Sequence, residues 1–230
     1  MENRLTIAIG DVHGCIDKLL ALLAACDRIS AGRELCYILV GDYIDRGPCS
    51  REVVDLLMQR QRSEGARLVC LRGNHEQMLL DAVAGGRFSA AMETWLGNGG
   101  GETLDSYGVT SPASLPESHL QWISALPLHF SDSRRFYVHA GIRPGVALAA
   151  QSEDDLLWIR EPFLSSADSH PAFIVHGHTP TVSGRPDLRS NRLNLDTGAC
   201  FGGDLTAAAF TALTARPVLF ANDLGQIRQL

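Results

Sequence analysis

Three short runs, Gly10-Asp11-Val12-His13-Gly14, Gly41-Asp42-Tyr43-Ile44-Asp45-Arg46-Gly47 and Gly73-Asn74-His75-Glu76, each follow an apolar stretch and open on glycine and then a hard metal ligand. Two more, His139-Ala140-Gly141 and His176-Gly177-His178-Thr179, follow Phe136 to Val138 and Phe173 to Val175. Asp, Asn and His offer oxygen and imidazole donors, a set suited to Mn, Fe or Zn and poor for a dedicated calcium cage. If Asp11, His13, Asp42, Asn74, His139 and His178 converge, six donors exceed what a mononuclear site requires, and a carboxylate such as Asp42 can bridge two cations. Two divalent ions ~3.5–4 Å apart lower the pKa of a shared water towards ~7, polarise a phosphoryl oxygen and hold attacking and leaving oxygens in line. The economical reading is hydrolysis of a phosphate ester by direct attack of a metal-activated hydroxide.

His75 directly follows Asn74 and so belongs at the rim of such a centre. A leaving alkoxide or phenoxide needs a proton, and a histidine oriented by a carboxylate is the usual donor, which pairs His75 with Asp45. Arg46 and Arg72 flank the same runs, where guanidinium groups would stabilise charge on the equatorial phosphoryl oxygens. Taken singly, each run also reads as a capped helix start or a satisfied strand-end histidine. Five in this order argue for one site. His176 precedes its glycine and is read as a supporting residue, and His119, His129 and His170 as surface or packing residues. Covalent phosphatase chemistry fares badly, because no cysteine is followed six positions later by arginine and no Asp-x-Asp motif occurs.

The elements that must carry these runs follow from periodicity. Leu5 to Ile9 reads as a buried strand, and Ile16, Leu19, Leu20, Leu23 and Cys26 recur at helical spacing after it. Tyr37 to Val40 repeats the strand, with a helix from Ser50 carrying Val53, Val54, Leu57 and Met58 and with Ser50 as its N-cap. Leu68 to Leu71 and a helix with Met78, Leu79 and Val83 make a third unit. Successive βα units predict a parallel sheet whose ligands sit at the carboxyl ends of the strands. Residues 84–130 read as a helical insertion over one side of the site, with Asn98-Gly99-Gly100-Gly101 a turn or helix stop, since no Lys-Ser/Thr follows to make a phosphate loop. From Arg135 onward the texture is strand-rich: Phe136 to Val138, Phe173 to Val175, Leu193 to Leu195, Leu205 to Phe210 and Val218 to Phe220. A second sheet packed on the first accounts for this run.

At 230 residues with 45% apolar and 20% charged side chains, the chain is read as a single domain over residues 1–230. No apolar run approaches the ~18 residues of a membrane span, and no basic-plus-apolar leader precedes the first motif, so a cytoplasmic location away from membranes is expected. The net charge is −6 and Lys18 is the only lysine, a poor balance for nucleic acid. The six cysteines lack the spacing of a disulfide or zinc framework and read as reduced thiols, with Cys15 and Cys49 next to motif residues. Oligomeric state is left open.

The five runs, together with Leu71-Arg72 before Gly73 and Pro180 after Thr179, resemble the signature blocks of calcineurin-like metallophosphoesterases, specifically PPP-type serine/threonine protein phosphatases. The match runs from about residue 5 to residue 213. Trp95-Leu96-Gly97-Asn98-Gly99-Gly100-Gly101, Trp158-Ile159-Arg160-Glu161 and Asp196-Thr197-Gly198-Ala199 look most like the bacterial and bacteriophage lambda members. The resemblance implies a four-layer α/β/β/α sandwich of two mixed sheets flanked by helices, with a dinuclear metal site at the strand ends. It implies Asp11, His13 and Asp42 on one divalent ion, and Asp42, Asn74, His139 and His178 on the other. The ions would be Mn, with Fe or Zn as alternatives. It also implies His75 with Asp45 as the acid pair, and Arg46, Arg72, Asn74 and Arg160 on the phosphate of a phosphorylated protein or peptide. Eukaryotic relatives carry an aromatic residue in a flexible loop near the site, where this chain reads Cys200-Phe201-Gly202-Gly203. The rival enzyme is a symmetrical dinucleoside tetraphosphate hydrolase, against which Asp45 and Glu76 both speak. A noncatalytic protein of the same fold would have lost a ligand or the acid pair, and every position is filled.

Overall fold

The computed structural model describes residues 4–30 and 32–230. Met1 to Asn3, on which the expectation of no leader partly rests, lie outside the described residues. In chain order the first half contains β1 (Arg4–Ile9), α1 (Ile16–Ile29), β2 (Glu34–Leu39), α2 (Ser50–Glu64), β3 (Leu68–Cys70) and α3 (Asn74–Gly85). The segment after it holds α4 (Ala90–Trp95), α5 (Gly101–Tyr107) and α6 (Glu117–Ser124). Then follow β4 (His129–Ser131), β5 (Arg135–Val138), α7 (Glu153–Trp158), β6 (Phe173–His176), β7 (Asp187–Leu188), β8 (Arg192–Asn194), β9 (Thr206–Phe210), β10 (Leu219–Asn222) and β11 (Ile227–Gln229).

Alternation along the strands divides their side chains between two faces and so builds the layers. On β1, Leu5, Ile7 and Ile9 pack with the helices through Leu19, Leu22, Val53 and Leu79. Ala8 faces the other way, into a second core with Ile38, Tyr137, Val175, Leu193 and Phe210 drawn from both sheets. The far face of the second sheet, Phe136, Val138 and Ile174, is covered by Leu156, Ile159 and Phe163, which lie on α7 and just after it. The result is helices, sheet, sheet and helix, the four-layer α/β/β/α sandwich expected. Both sheets are mixed: one has the order β11-β10-β9-β1-β2-β3, the other β4-β5-β6-β8-β7. In the first, β1, β2 and β3 run parallel. In the second, β5, β6 and β8 do.

Three expectations are corrected. The strands at 205–210 and 218–220 do not extend the second sheet; β9 lies antiparallel to β1, with Ala208 opposite Ala8, and β10 pairs with β9. Apolar alternation specifies which face a strand buries, and it carries no information on which neighbour supplies the hydrogen bonds. On α1, Leu20 is 48% exposed and Leu22 is buried in its place, a shift of the buried stripe. Ser50 is the first residue of α2 and not its cap; Cys49 holds the cap position without a side-chain bond, and the Ser50 hydroxyl accepts from the Asp45 amide at 3.1 Å. The glycine run after Trp95 is a kink between α4 and α5, with Gly99 at φ 101°. A side chain there would be strained and would stand 2.8 Å from Arg46 Cγ. No helix among the described residues is long and apolar enough to cross a membrane. All six cysteines are free.

Candidate active site

Every parallel strand delivers polar residues at its carboxyl end: Asp11 and His13 after β1, Asp42, Asp45 and Arg46 after β2, Asn74 and His75 after β3, His139 after β5, His178 after β6 and Asp196 after β8. Among the described non-glycine residues, the left-handed backbone region is taken by His13 (φ 44°), Asp42 (55°), Asp45 (70°), Arg46 (67°) and His178 (67°), all of them in this cluster. Such a conformation costs on the order of 1–3 kcal/mol per residue and persists where surrounding bonds over-determine it. Those bonds are present. The buried Glu76 carboxylate accepts from the amides of Asp42 (2.9 Å), Tyr43 (2.7 Å) and Gly73 (2.8 Å), and Gly99 O accepts from the Arg46 amide (3.1 Å).

Asp42 is the centre of the arrangement. Its Oδ2 lies 3.4 Å from His13 Nε2, and its Oδ1 lies 3.4 Å from His139 Nε2. Both imidazoles turn Nδ1 to a carbonyl, His13 to Ile44 O (2.8 Å) and His139 to Val40 O (3.0 Å), which fixes the tautomer with Nε2 bare and aimed inward. Asn74 Oδ1 sits 2.8 Å from His139 Nε2 and 2.9 Å from His178 Nδ1. Two groups therefore share one carboxylate: donor atoms of His13, Asp42 and His75 lie within 4.8 Å of one another, as do those of Asp42, His139 and His178. Either could hold a metal ion. The electrostatics suit a cation. Burial, then the Asp196 and Asp42 carboxylates, lift Asp11 well above the usual range, and its Oδ1 is buried without a hydrogen-bond partner. Burial, then His139, push the His178 imidazole down to about 3, leaving it neutral and free to ligate. Asp42 stays ionised: burial opposes this, but the imidazoles of His139, His75 and His13 hold it well below its ordinary value. The resemblance implies Asp11 with His13 and Asp42; in the structure His75 also brings a donor atom within 4.8 Å of those of His13 and Asp42, and Asp11 Oδ2 accepts from the His178 amide at 2.9 Å.

His75 and Asp45 do pair, Nδ1 to Oδ2 at 2.7 Å, with both side chains buried. The His75 Nε2 lies 4.0 Å from Asp42 Oδ2, facing the metal groups. The predicted arginines divide. Arg46 Nη1 contacts His13 Nε2 at 2.8 Å, and its guanidinium lies over the exposed Phe201 ring, 5.3 Å from the centroid, so that Phe201 does stand beside the site. Arg160 shares with His178, Trp158, Asn98 and Arg143 a cavity of about 500 Å³ open to solvent. Arg72 does not join them: its guanidinium is held by Gln77 Oε1 (3.0 Å), Ser124 O (2.5 Å) and Glu153 (3.6 Å). A cavity of similar size, about 520 Å³ between Arg185, Phe220 and Arg228, contains none of the strand-end side chains. His176 packs edge-on to Phe163 and bonds Gly177 O, the supporting place expected.

Sequence reasoning gave Asp196 no role. It is buried next to Asp11, and burial raises its pKa to about 6, opposed by the Gly198 amide it accepts from. The available signal was its place just after β8, although no glycine precedes it as one precedes Asp11 and Asp42. A folded-state pKa above the unfolded value favours folding below about pH 4 and loses that advantage as pH rises through ~6. Asp196→Asn keeps the acceptor for Gly198, so in metal-free protein it should add up to ~3 kcal/mol of stability at pH 8 and almost none at pH 4. Urea unfolding at the two pH values reads this out; equal gains at both would refute carboxylate crowding as the cause.

The model of the family described as calcineurin-like phosphoesterase matches residues 5–207. A serine/threonine-protein phosphatase 1 from Salmonella typhimurium is 35% identical over 209 residues, spanning 87% of this chain and 89% of its own. The asymmetrical bis(5'-nucleosyl)-tetraphosphatase PrpE from a Geobacillus species is 27% identical over 227 residues, covering 86% of this chain and 87% of its own. The crystal structure of a cold-active protein-tyrosine phosphatase from a psychrophilic Shewanella superposes with a TM-score of 0.68 at 20% identity, over 100% of this chain and 82% of that one.

Proposed function

Because the chain belongs to the calcineurin-like phosphoesterase family and so hydrolyses phosphoesters, we propose that its substrate is a phosphomonoester on a protein or peptide, at serine or threonine and also at tyrosine. The observation that carries this reading is the His75–Asp45 pair, a buried 2.7 Å bond beside the metal groups. A serine or threonine alkoxide is a poor leaving group and demands a proton, whereas a nucleotide phosphate leaves without one.

Asp11, His13, Asp42, Asn74, His139 and His178 would hold two divalent ions, with manganese suited to this mixture of carboxylate, amide and imidazole. When bound, such ions supply Lewis acidity to the phosphoryl group and to water. The chain supplies the rest. Arg46, beside His13, and Arg160, in the cavity with His178, bind the phosphoryl oxygens, and Arg72 stays on its anchors. Asp45 accepts a hydrogen bond from His75 Nδ1–H, whose proton stays on the ring, and so turns the protonated Nε2 toward the leaving oxygen. As water attacks phosphorus and the P–O bond to the substrate breaks, the Nε2 proton passes to the departing alkoxide.

A second reading, dinucleoside polyphosphate hydrolysis, has support in the PrpE relative and in Trp158, whose exposed ring at the cavity could stack on a base. Metal-stripped protein reloaded with manganese and offered a phosphoserine peptide, p-nitrophenyl phosphate and diadenosine tetraphosphate separates the two. The peptide should give a kcat/KM at least tenfold above that of the dinucleotide, a margin of about 1.4 kcal/mol. The reverse order would overturn the choice of substrate.

A further inference from the structure

We propose that Trp95 and Thr103, on the two helices of the kinked segment, are positioning residues that aim the Asp45 carboxylate at His75; the inference rests on the proton-donor role of His75 given above. Asp45 has no exposed surface, so each of its oxygens must find donors within the protein. Oδ2 accepts from His75 Nδ1 at 2.7 Å. The Trp95 indole N–H straddles both oxygens, 3.0 Å from Oδ2 and 3.1 Å from Oδ1. The Thr103 hydroxyl donates to Oδ1 at 2.6 Å and accepts from the Asp45 amide at 2.9 Å. One hydroxyl therefore holds both ends of a single residue, fixing its side-chain torsion. The indole fixes the carboxylate plane.

The segment is built to keep these donors in place. Trp95 is fully buried, and a Cβ on Gly100 would stand 2.5 Å from two of its ring carbons, so the glycine lets the chain fold back over the indole. Gly99 O holds the neighbouring Arg46 amide. Packing alone would be served by phenylalanine at 95 and valine at 103. Neither can donate to a dry carboxylate, and without donors Asp45 is free to turn away from the imidazole.

Thr103→Val, nearly isosteric, is the sharpest test, with Thr103→Ser as the conservative rescue and Trp95→Phe as an independent second variant. In manganese-loaded protein, Thr103→Val should lower kcat on a phosphoserine peptide by about 10–100-fold. An aryl phosphate with a very acidic phenol should fall by less than about threefold, with KM and metal content unchanged. Thr103→Ser should restore the peptide rate. In a His75→Asn background, Thr103→Val should add no further loss. Equal losses on both esters, or full additivity with His75→Asn, would mean the hydroxyl is merely structural. Nitrogen-15 spectra of the histidine rings give a readout without turnover. The His75 Nδ1–H resonance, hydrogen-bonded in wild type, should broaden or shift in Thr103→Val and Trp95→Phe while the His119 and His129 rings stay put. An unmoved His75 signal in both variants overturns the proposal. If the wild type cleaves no monoester, the substrate assignment fails by itself and the spectra still decide the role of Trp95 and Thr103.

Discussion

Asp42→Asn should strip the protein of metal at both groups at once and lower kcat/KM on any phosphomonoester by more than ~10³-fold, the several kcal/mol that Lewis-acid stabilisation supplies. Each trio of donors contains Asp42, and its two oxygens face opposite ways, one to His13 and one to His139. The loop should survive the change. Asp42 sits at φ 55°, and asparagine is as tolerant of the left-handed region as aspartate. An amide nitrogen in place of one oxygen presents hydrogens where a cation needs lone pairs. His13→Asn, by contrast, touches one trio only and should cost half of the bound metal. Metal analysis after desalting makes the comparison. If Asp42→Asn and His13→Asn lost the same amount, the shared-carboxylate arrangement would be wrong.

His75→Asn should retain the metals and yet lose ~10²–10⁴-fold in kcat on a phosphoserine peptide, about 2.7–5.5 kcal/mol of transition-state stabilisation. An aryl ester with a very acidic phenol should lose less than about tenfold, because its leaving group departs without a proton. The geometry gives this experiment a second edge. His75 Nε2 lies among donor atoms that could themselves hold an ion, 4.0 Å from Asp42 Oδ2. A ligand role predicts that metal content falls along with kcat on every substrate alike; a proton-donor role predicts intact metal and a loss that tracks leaving-group basicity. Uniform loss across the ester series would remove His75 from proton transfer.

The parts of this site legible in the sequence are those governed by local rules. A buried parallel strand is a short apolar run that ends on polar residues; a glycine stands just before Asp11, Asp42, Asn74 and His178, and two positions after His139, so these five announced themselves by local pattern. Residues whose place depends on partners far along the chain did not. Arg72 and Arg46 flank their motifs in the same way, and only the packed chain shows that Gln77 and Ser124 claim one while the other reaches His13. Trp95 entered only as the first residue of the run to Gly101 and was given no role, because nothing in its neighbours reveals a carboxylate 50 positions earlier. Ser50 looked like a cap because its position fits a helix start; its hydroxyl instead accepts from the Asp45 amide, five residues earlier, at 3.1 Å. The sheet assignment of β9 and β10 failed because alternation is silent on strand order.

The antiparallel pairing of β9 with β1 joins Ile7 to Ala209, nearly the whole span of the chain. A nascent polypeptide emerging from the ribosome would carry β1 with one backbone row unsatisfied until its last neighbour was synthesised, and such an edge invites pairing with other chains. Contacts of such wide sequence separation also slow the search for the native topology. Expression of chains shortened before Thr206 should therefore yield aggregates, and fusion partners or slow induction should rescue full-length yield more than they would for a protein built of neighbouring strands.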